Sequence, residues 1–269
     1  MSPSESPESP SFDAAAVSDR VRSQPLVTVH ASPADGATAA ALEVADLVES
    51  VPHAVLGLAT GGTMVEVYRA LVAEVSRRSL DLSGVRTFNL DEYLGLGASD
   101  PNSFRHFMAL HLFGPLGLAE EQTHFPDEQR ARTDALGASR AYEEAIEAAG
   151  GIDLQLLGIG RNGHIAFNEP GSSPVSRTRV IELHPVTRSD AAGAFGGAES
   201  TPARAITMGM GTILEARRLR VLAFGSAKEE AVHQMLAGEE NPEVPCTFLR
   251  LRHADMAVHL DADAARRIR

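Results

Sequence analysis

Two side chains that move protons, His164 and Glu169, stand five residues apart in the run Gly158-Ile159-Gly160-Arg161-Asn162-Gly163-His164-Ile165-Ala166-Phe167-Asn168-Glu169-Pro170. An imidazole paired with a carboxylate exchanges protons near neutral pH, which suits general acid–base work. A metal pair fits less well, because the spacing is not i,i+4 on a helix and no second histidine is close in sequence. A single histidine here also reads as a structural residue with satisfied ring nitrogens. Asp91 and Glu92 form a second acidic point at the end of the apolar run 85–90. Side chains alternate along a strand, so at most one of the two faces a cleft; both also fit as helix-capping or solvated acids.

Two further stretches suit an anion. Thr60-Gly61-Gly62-Thr63 joins an apolar run, 54–58, to a helical pattern beginning near Met64. Free backbone N–H groups and two hydroxyls at a helix start suit a phosphate, although a plain strand-to-helix turn accounts for the same letters. It is not a P-loop, since no Gly-Lys-Ser/Thr follows. Lys228 is the one lysine among 24 basic residues; the other 23 are arginine. Where nucleotide bias has exchanged Lys for Arg freely, a surviving lysine marks a place that needs a compact ammonium. It falls in the first turn of a helix, which disfavours a cation unless an anionic ligand faces it. The glycines 158, 160 and 163 match the dinucleotide fingerprint, with the acid Glu182 about 20 residues on. That fingerprint must open a long helix, and Pro170 and Gly171 interrupt this one, so nicotinamide binding is set aside.

The elements that must position these groups alternate. Apolar runs at 26–30, 54–58, 85–90, 154–157, 205–210, 219–224 and 256–260 read as strands. Helical patterns occupy 33–49, with Ala41, Leu42, Ala45, Leu47 and Val48 on the apolar face, then 64–76, a segment capped by Asn102 or Ser103, 134–149 and 228–236. The expected fold is α/β: one domain over 25–269, a mostly parallel, Rossmann-like sheet with helices on both faces. Residues 125–133 read as polar connection, and 187–203 as a mobile surface excursion with hinge glycines, suited to a lid. The Ser/Pro/acid-rich residues 1–24 read as a disordered tail.

Composition bounds the function. A formal charge of −12 argues against non-specific nucleic-acid binding but not against an anionic small molecule. No apolar run approaches the roughly 18 residues of a membrane span, no signal peptide is visible, and Cys246 stands alone. These features point to the cytoplasm, with no membrane partner and no cysteine-based metal site.

The run 158–170, with Thr60-Gly61-Gly62-Thr63, Asn89-Leu90-Asp91-Glu92-Tyr93, Ser176-Arg177-Thr178-Arg179 and Gly225-Ser226-Ala227-Lys228, resembles the glucosamine-6-phosphate deaminase family in order and spacing. The resemblance covers roughly residues 26–260. The related 6-phosphogluconolactonases share the fold but carry a different motif after the histidine. The resemblance implies conversion of glucosamine 6-phosphate and water to fructose 6-phosphate and ammonia, with no metal or other cofactor. It implies that His164 assists ring opening, that Asp91 moves the C2 proton to C1, and that Glu169 orients and tunes His164. It further implies that residues 60–63 and Lys228 hold the phosphate of an amino-sugar phosphate partner.

The chain departs from that family at three places. Asn162 stands where some members have aspartate and others asparagine; it is given no acid–base role. Gly193 stands where members carry a phosphate-binding lid arginine, with Arg188 five residues earlier as a substitute. Arg179 matches one member of an allosteric basic pair but Ile181 replaces the other, so that regulation is not expected. Rival readings are a 6-phosphogluconolactonase-like hydrolase and a non-catalytic sugar-phosphate sensor. Gluco or galacto preference and homo-oligomer formation are left open.

Overall fold

The computed structural model describes residues 24–268. The expectation of a disordered tail over 1–24 therefore lies, but for Gln24, outside the described residues. Among the described residues ten strands occur in chain order: β1 (Leu26–Val29), β2 (Val55–Leu58), β3 (Arg86–Asn89), β4 (Asp91–Tyr93), β5 (Thr123–His124), β6 (Leu154–Gly158), β7 (Arg179–Glu182), β8 (Arg204–Thr207), β9 (Leu219–Ala223) and β10 (Met256–Leu260). Seven form one wholly parallel sheet in the order β1-β10-β9-β6-β2-β3-β5. The buried strands β2, β9 and β10 are apolar at nearly every position, as a sheet covered on both faces requires.

The sheet has a switch point. From β2 the chain progresses outward to β3 and β5; from β6 it progresses the opposite way to β9 and β10. The crevice between the carboxyl ends of β2 and β6 is where such a sheet leaves room for a ligand.

Helix α1 (Pro33–Ser50) begins with Ser32 accepting from Asp35 N–H at 3.2 Å and with Pro33 in its first turn. Its buried stripe is Gly36, Ala37, Ala40, Ala41, Val44, Ala45, Leu47 and Val48. Leu42, expected on that face, is exposed, because one residue past Ala41 the helix has turned by about 100°. Helix α2 (Gly62–Arg78) packs against α1 and stops at Ser79 in the left-handed conformation.

Three local expectations are corrected. Of the excursion expected over 187–203, residues 187–195 are helical and 196–203 form the turns that follow. Pro185–Phe195 is a helix with His184 as its N-cap and Gly196 as its left-handed stop, and Gly193 lies inside it. We call it the cover helix. The polar connection 125–133 contains a helical turn, Glu128–Ala131, capped by Asp127. The strand expected over 205–210 ends at Thr207, and Met210 already begins a helix.

A second, three-stranded antiparallel sheet, β4-β8-β7, was not foreseen. Beneath it Tyr93, Phe167, Leu183 and Ala205 form their own small core, with Phe104 and Phe195 packed alongside. Tyr93 lies 4.9 Å from Phe104, 5.2 Å from Phe167 and 5.3 Å from Phe195, centroid to centroid. This aromatic cluster joins β4, the 158–170 run and the tip of the cover helix. No helix among the described residues is long and apolar enough to cross a membrane.

Candidate active site

A cavity of about 350 Å³ opens at the switch point. It is walled by the turns after β2, β3, β6 and β9, and roofed by Thr187, Asp190 and Ala191 of the cover helix. Asp91, His164, Lys228 and all four residues of Thr60-Gly61-Gly62-Thr63 line it. The sequence-derived groups thus converge, with one exception: Glu169 lies behind His164.

Asp91 opens β4, directly after Leu90 leaves the parallel sheet. Leu90 N–H still donates to Leu58 at 3.1 Å, while its carbonyl accepts from Met208 N–H at 2.7 Å. The chain therefore changes sheets at one residue, and the change delivers Asp91 to the cavity. The Asp91 carboxylate is buried beside the Phe167 N–H, which donates to Thr207 Oγ1 at 3.3 Å and favours the ionised acid. Burial first, and the neighbouring Glu92 second, push its pKa well above 3.8. Glu92 points away, as alternation demands. It accepts from the N–H groups of Tyr93 (2.9 Å), Phe104 (3.0 Å) and Arg105 (2.9 Å), fastening the start of helix α3 (Phe104–Met108). One acid of the pair faces the cavity and the other caps a helix.

The loop after β6 is shaped around the imidazole. A Cβ on Gly160 would sit 2.2 Å from the His164 ring, so only glycine lets the ring lie there. Ala166, also lining the cavity, is held at φ 52°, a strained conformation for a residue with a side chain. His164 Nδ1 lies 2.7 Å from Asn162 Oδ1, and His164 N–H donates to the same oxygen at 3.2 Å. A backbone N–H can only donate, so the Asn162 atom facing it is the carbonyl oxygen. Nδ1 therefore carries the ring proton and Nε2 keeps a lone pair. Glu169 Oε2 is 3.8 Å from Nδ1, and Asn162 Nδ2 reaches it at 3.5 Å. Asn162 thus stands between Glu169 and the imidazole, and sequence reasoning had given it no acid–base role. Burial holds the His164 pKa below 6.5, opposed by the Glu169 charge and reinforced by Lys228.

The anion end is assembled from two turns. Gly61, at φ 105°, turns the chain into α2, whose first N–H groups have no side-chain cap. Tyr68 pins the turn by donating its hydroxyl proton to Ala59 O. Lys228 follows Gly225 (φ 85°) at the start of the helix Glu229–Ala237. Burial lowers its pKa from 10.5, with Asp190 opposing and Arg161 reinforcing the shift.

Sequence reasoning missed Arg161 and Asp190, which line the cavity and pair with each other. Arg188 is not a lining residue: its guanidinium donates to Ala198 O (2.8 Å) and Thr201 O (3.3 Å) within the cover. Arg179 is a brace, donating to Asn168 Oδ1 (2.9 Å) and Ser172 Oγ (3.2 Å).

A family model described as glucosamine-6-phosphate isomerases/6-phosphogluconolactonase matches residues 30–258. The chain belongs to this family. Among its relatives, a glucosamine-6-phosphate deaminase of Hahella chejuensis is 45% identical over 82% of this chain and 84% of its own. One from Shewanella loihica is 46% identical over 81% and 80%. The solved structure of a monomeric glucosamine-6-phosphate deaminase superposes with a TM-score of 0.85 at 39% identity, covering 90% of this chain and 99% of that one. A 6-phosphogluconolactonase from Trypanosoma cruzi, 23% identical with a TM-score of 0.74 over 90% and 96%, shares the fold.

Proposed function

We propose that this protein is a glucosamine-6-phosphate deaminase, an isomerase-deaminase of amino-sugar phosphates. The observation that carries the proposal is the meeting of a buried carboxylate, an imidazole with a free Nε2 and an ammonium in one cavity. The deaminase relatives, at 45% and 46% identity, support the same substrate.

The groups then divide the work. Residues 60–63 and Lys228 hold the phosphate, so that binding far from the reacting carbons sets their position. His164, neutral at working pH, accepts the O1 proton at Nε2 and returns a proton to the ring oxygen, which opens the hemiacetal. Glu169 acts through Asn162 as a positioning group for the imidazole. Asp91 removes the C2 proton while O1 takes the proton given up by the substrate ammonium, leaving an enol-amine, and Asp91 then delivers its proton to C1. The C2 imine takes up water and releases ammonia, giving fructose 6-phosphate. The raised Asp91 pKa fits an amino sugar in particular. A substrate ammonium beside the buried acid favours its ionised form, so the base is armed as the substrate arrives. The proposal carries with it a catalytic domain over 25–269 and a cytoplasmic site of action.

Ammonia release from glucosamine 6-phosphate, galactosamine 6-phosphate and unphosphorylated glucosamine tests the reading. Turnover should require the phosphate. No ammonia from any of the three, with hydrolysis of a 6-phosphosugar lactone instead, would place the protein with the lactonases.

A further inference from the structure

The cavity has a charged pair that the reaction above leaves unused. Arg161 sits on the loop after β6 and Asp190 on the cover helix, so their contact spans floor and roof. The guanidinium meets the carboxylate fork to fork: Nε donates to Oδ2 at 3.1 Å, and Nη2 donates to Oδ1. This two-pronged geometry is how arginine holds a carboxylate or a phosphate. The Arg161 side chain is 54% exposed, and a pair so open to water adds little to folding.

The same corner holds the other phosphate-suited groups. Lys228 lies close enough for its charge to respond to both Asp190 and Arg161, and the uncapped N–H groups of α2 line the same cavity. Other guanidinium candidates fail. Gly193, where the family resemblance implied a lid arginine, offers no side chain, and Arg188 is committed to two carbonyls of the cover. Arg161 and Lys228 are the two cationic residues among those lining the cavity, His164 being held neutral.

We infer that Arg161 is the guanidinium that clamps the substrate's phosphate, and that Asp190 occupies it until the phosphate displaces the carboxylate. A phosphate carries more charge than a carboxylate and is drawn by Lys228 and the α2 N–H groups as well, so it wins the exchange. Asp190 then acts as a built-in competitor that sets how much substrate is needed. The inference rests on the sugar-phosphate reading of the cavity.

The test measures, in the full chain, KM for ammonia release and the affinity for inorganic phosphate by calorimetry. Arg161→Met should raise KM and weaken phosphate binding by about ten- to hundred-fold, the range expected for one charged hydrogen-bonding partner, with kcat changed by less than about three-fold. Arg161→Lys should recover part of the loss, since it keeps the charge but not the fork. Asp190→Asn should act in the opposite direction, lowering KM and tightening phosphate several-fold. A pair that merely tied the cover helix to the floor would shift both variants the same way. That result, or an Arg161→Met enzyme that releases ammonia with unchanged KM and phosphate affinity, overturns the inference. If the unaltered protein releases no ammonia, the reaction is wrong. The phosphate titration still decides the clamp: loss of binding in Arg161→Met upholds it, and no loss refutes it.

Discussion

The floor of the cavity and its cover are held in place by different means. On the floor, backbone geometry fixes each group. Gly61 and Gly225 turn at positive φ, Gly160 makes room for the His164 ring, and Leu90 bonds both sheets so that Asp91 emerges at their junction. The cover helix buries only Thr187 among its eleven residues. It is tied down by side chains, the Arg161–Asp190 pair and the Phe195 edge against Tyr93, while Arg188 bonds only within the cover. Proton transfer needs its groups held to within fractions of an ångström, which a sheet rim provides. Capture and release of a substrate need parts that exchange partners, which exposed side chains provide.

The neighbouring acids Asp91 and Glu92 put that division to its sharpest test. Asp91→Asn should lower the rate of ammonia release by at least about 10³-fold, since a general base on carbon has no substitute here. It should also raise Tm. In the folded protein Asp91 keeps its proton to higher pH than in the unfolded chain. Between 3.8 and its raised value the folded state therefore binds more protons, and stability falls as pH rises. At neutral pH the buried charge opposes folding, and a neutral amide removes that opposition, worth about 2–4 °C in Tm for each kcal/mol recovered. Glu92→Gln should keep the rate and lower stability, because the lost hydrogen bond outweighs the relief of a pKa that burial raises there too. An amide NH2 would face one of three backbone donors, costing about 1–3 kcal/mol in thermal or denaturant unfolding. The rate per folded molecule should change little. Loss of rate without loss of stability at Glu92, or loss of stability at Asp91, would erase the distinction between the two.

A smaller effect is expected at Asn162. Asn162→Asp puts a carboxylate against His164 Nδ1, raising a pKa that burial now holds below 6.5. The imidazole would then take a proton at higher pH, so the acid limb of the kcat profile should move up. At pH 6–7 the rate should fall about two- to three-fold, while the rate well above neutrality stays unchanged. An acid limb that does not move would remove His164 from the proton path.

What could be read in the letters follows the same boundary. The floor was legible because its signals are local: an apolar run and a glycine turn, repeated after β2, β6 and β9, with a helical pattern following at β2 and β9. The cover was not. Gly193, Gly196 and Gly197 suggested a loose segment, yet Pro185 starts a helix there and only Gly196 stops it. The antiparallel sheet was invisible for another reason. β4 is three residues long, is separated from β3 by Leu90 alone, and pairs with β8 more than a hundred residues onward. Arg161 was passed over inside a run whose glycines and histidine drew attention, and its partner lies 29 residues away in the misread segment. Asn162 was noticed as a letter, but that it stands between His164 and Glu169 is a fact of three dimensions.

The central claim is that Asp91 alone carries hydrogen from C2 to C1. Glucosamine 6-phosphate bearing deuterium at C2 tests it most directly. The account predicts slower ammonia release than from the unlabelled sugar, and part of the deuterium recovered at C1 of fructose 6-phosphate. Equal rates with both sugars, with all of the deuterium lost to solvent and none at C1, would contradict it.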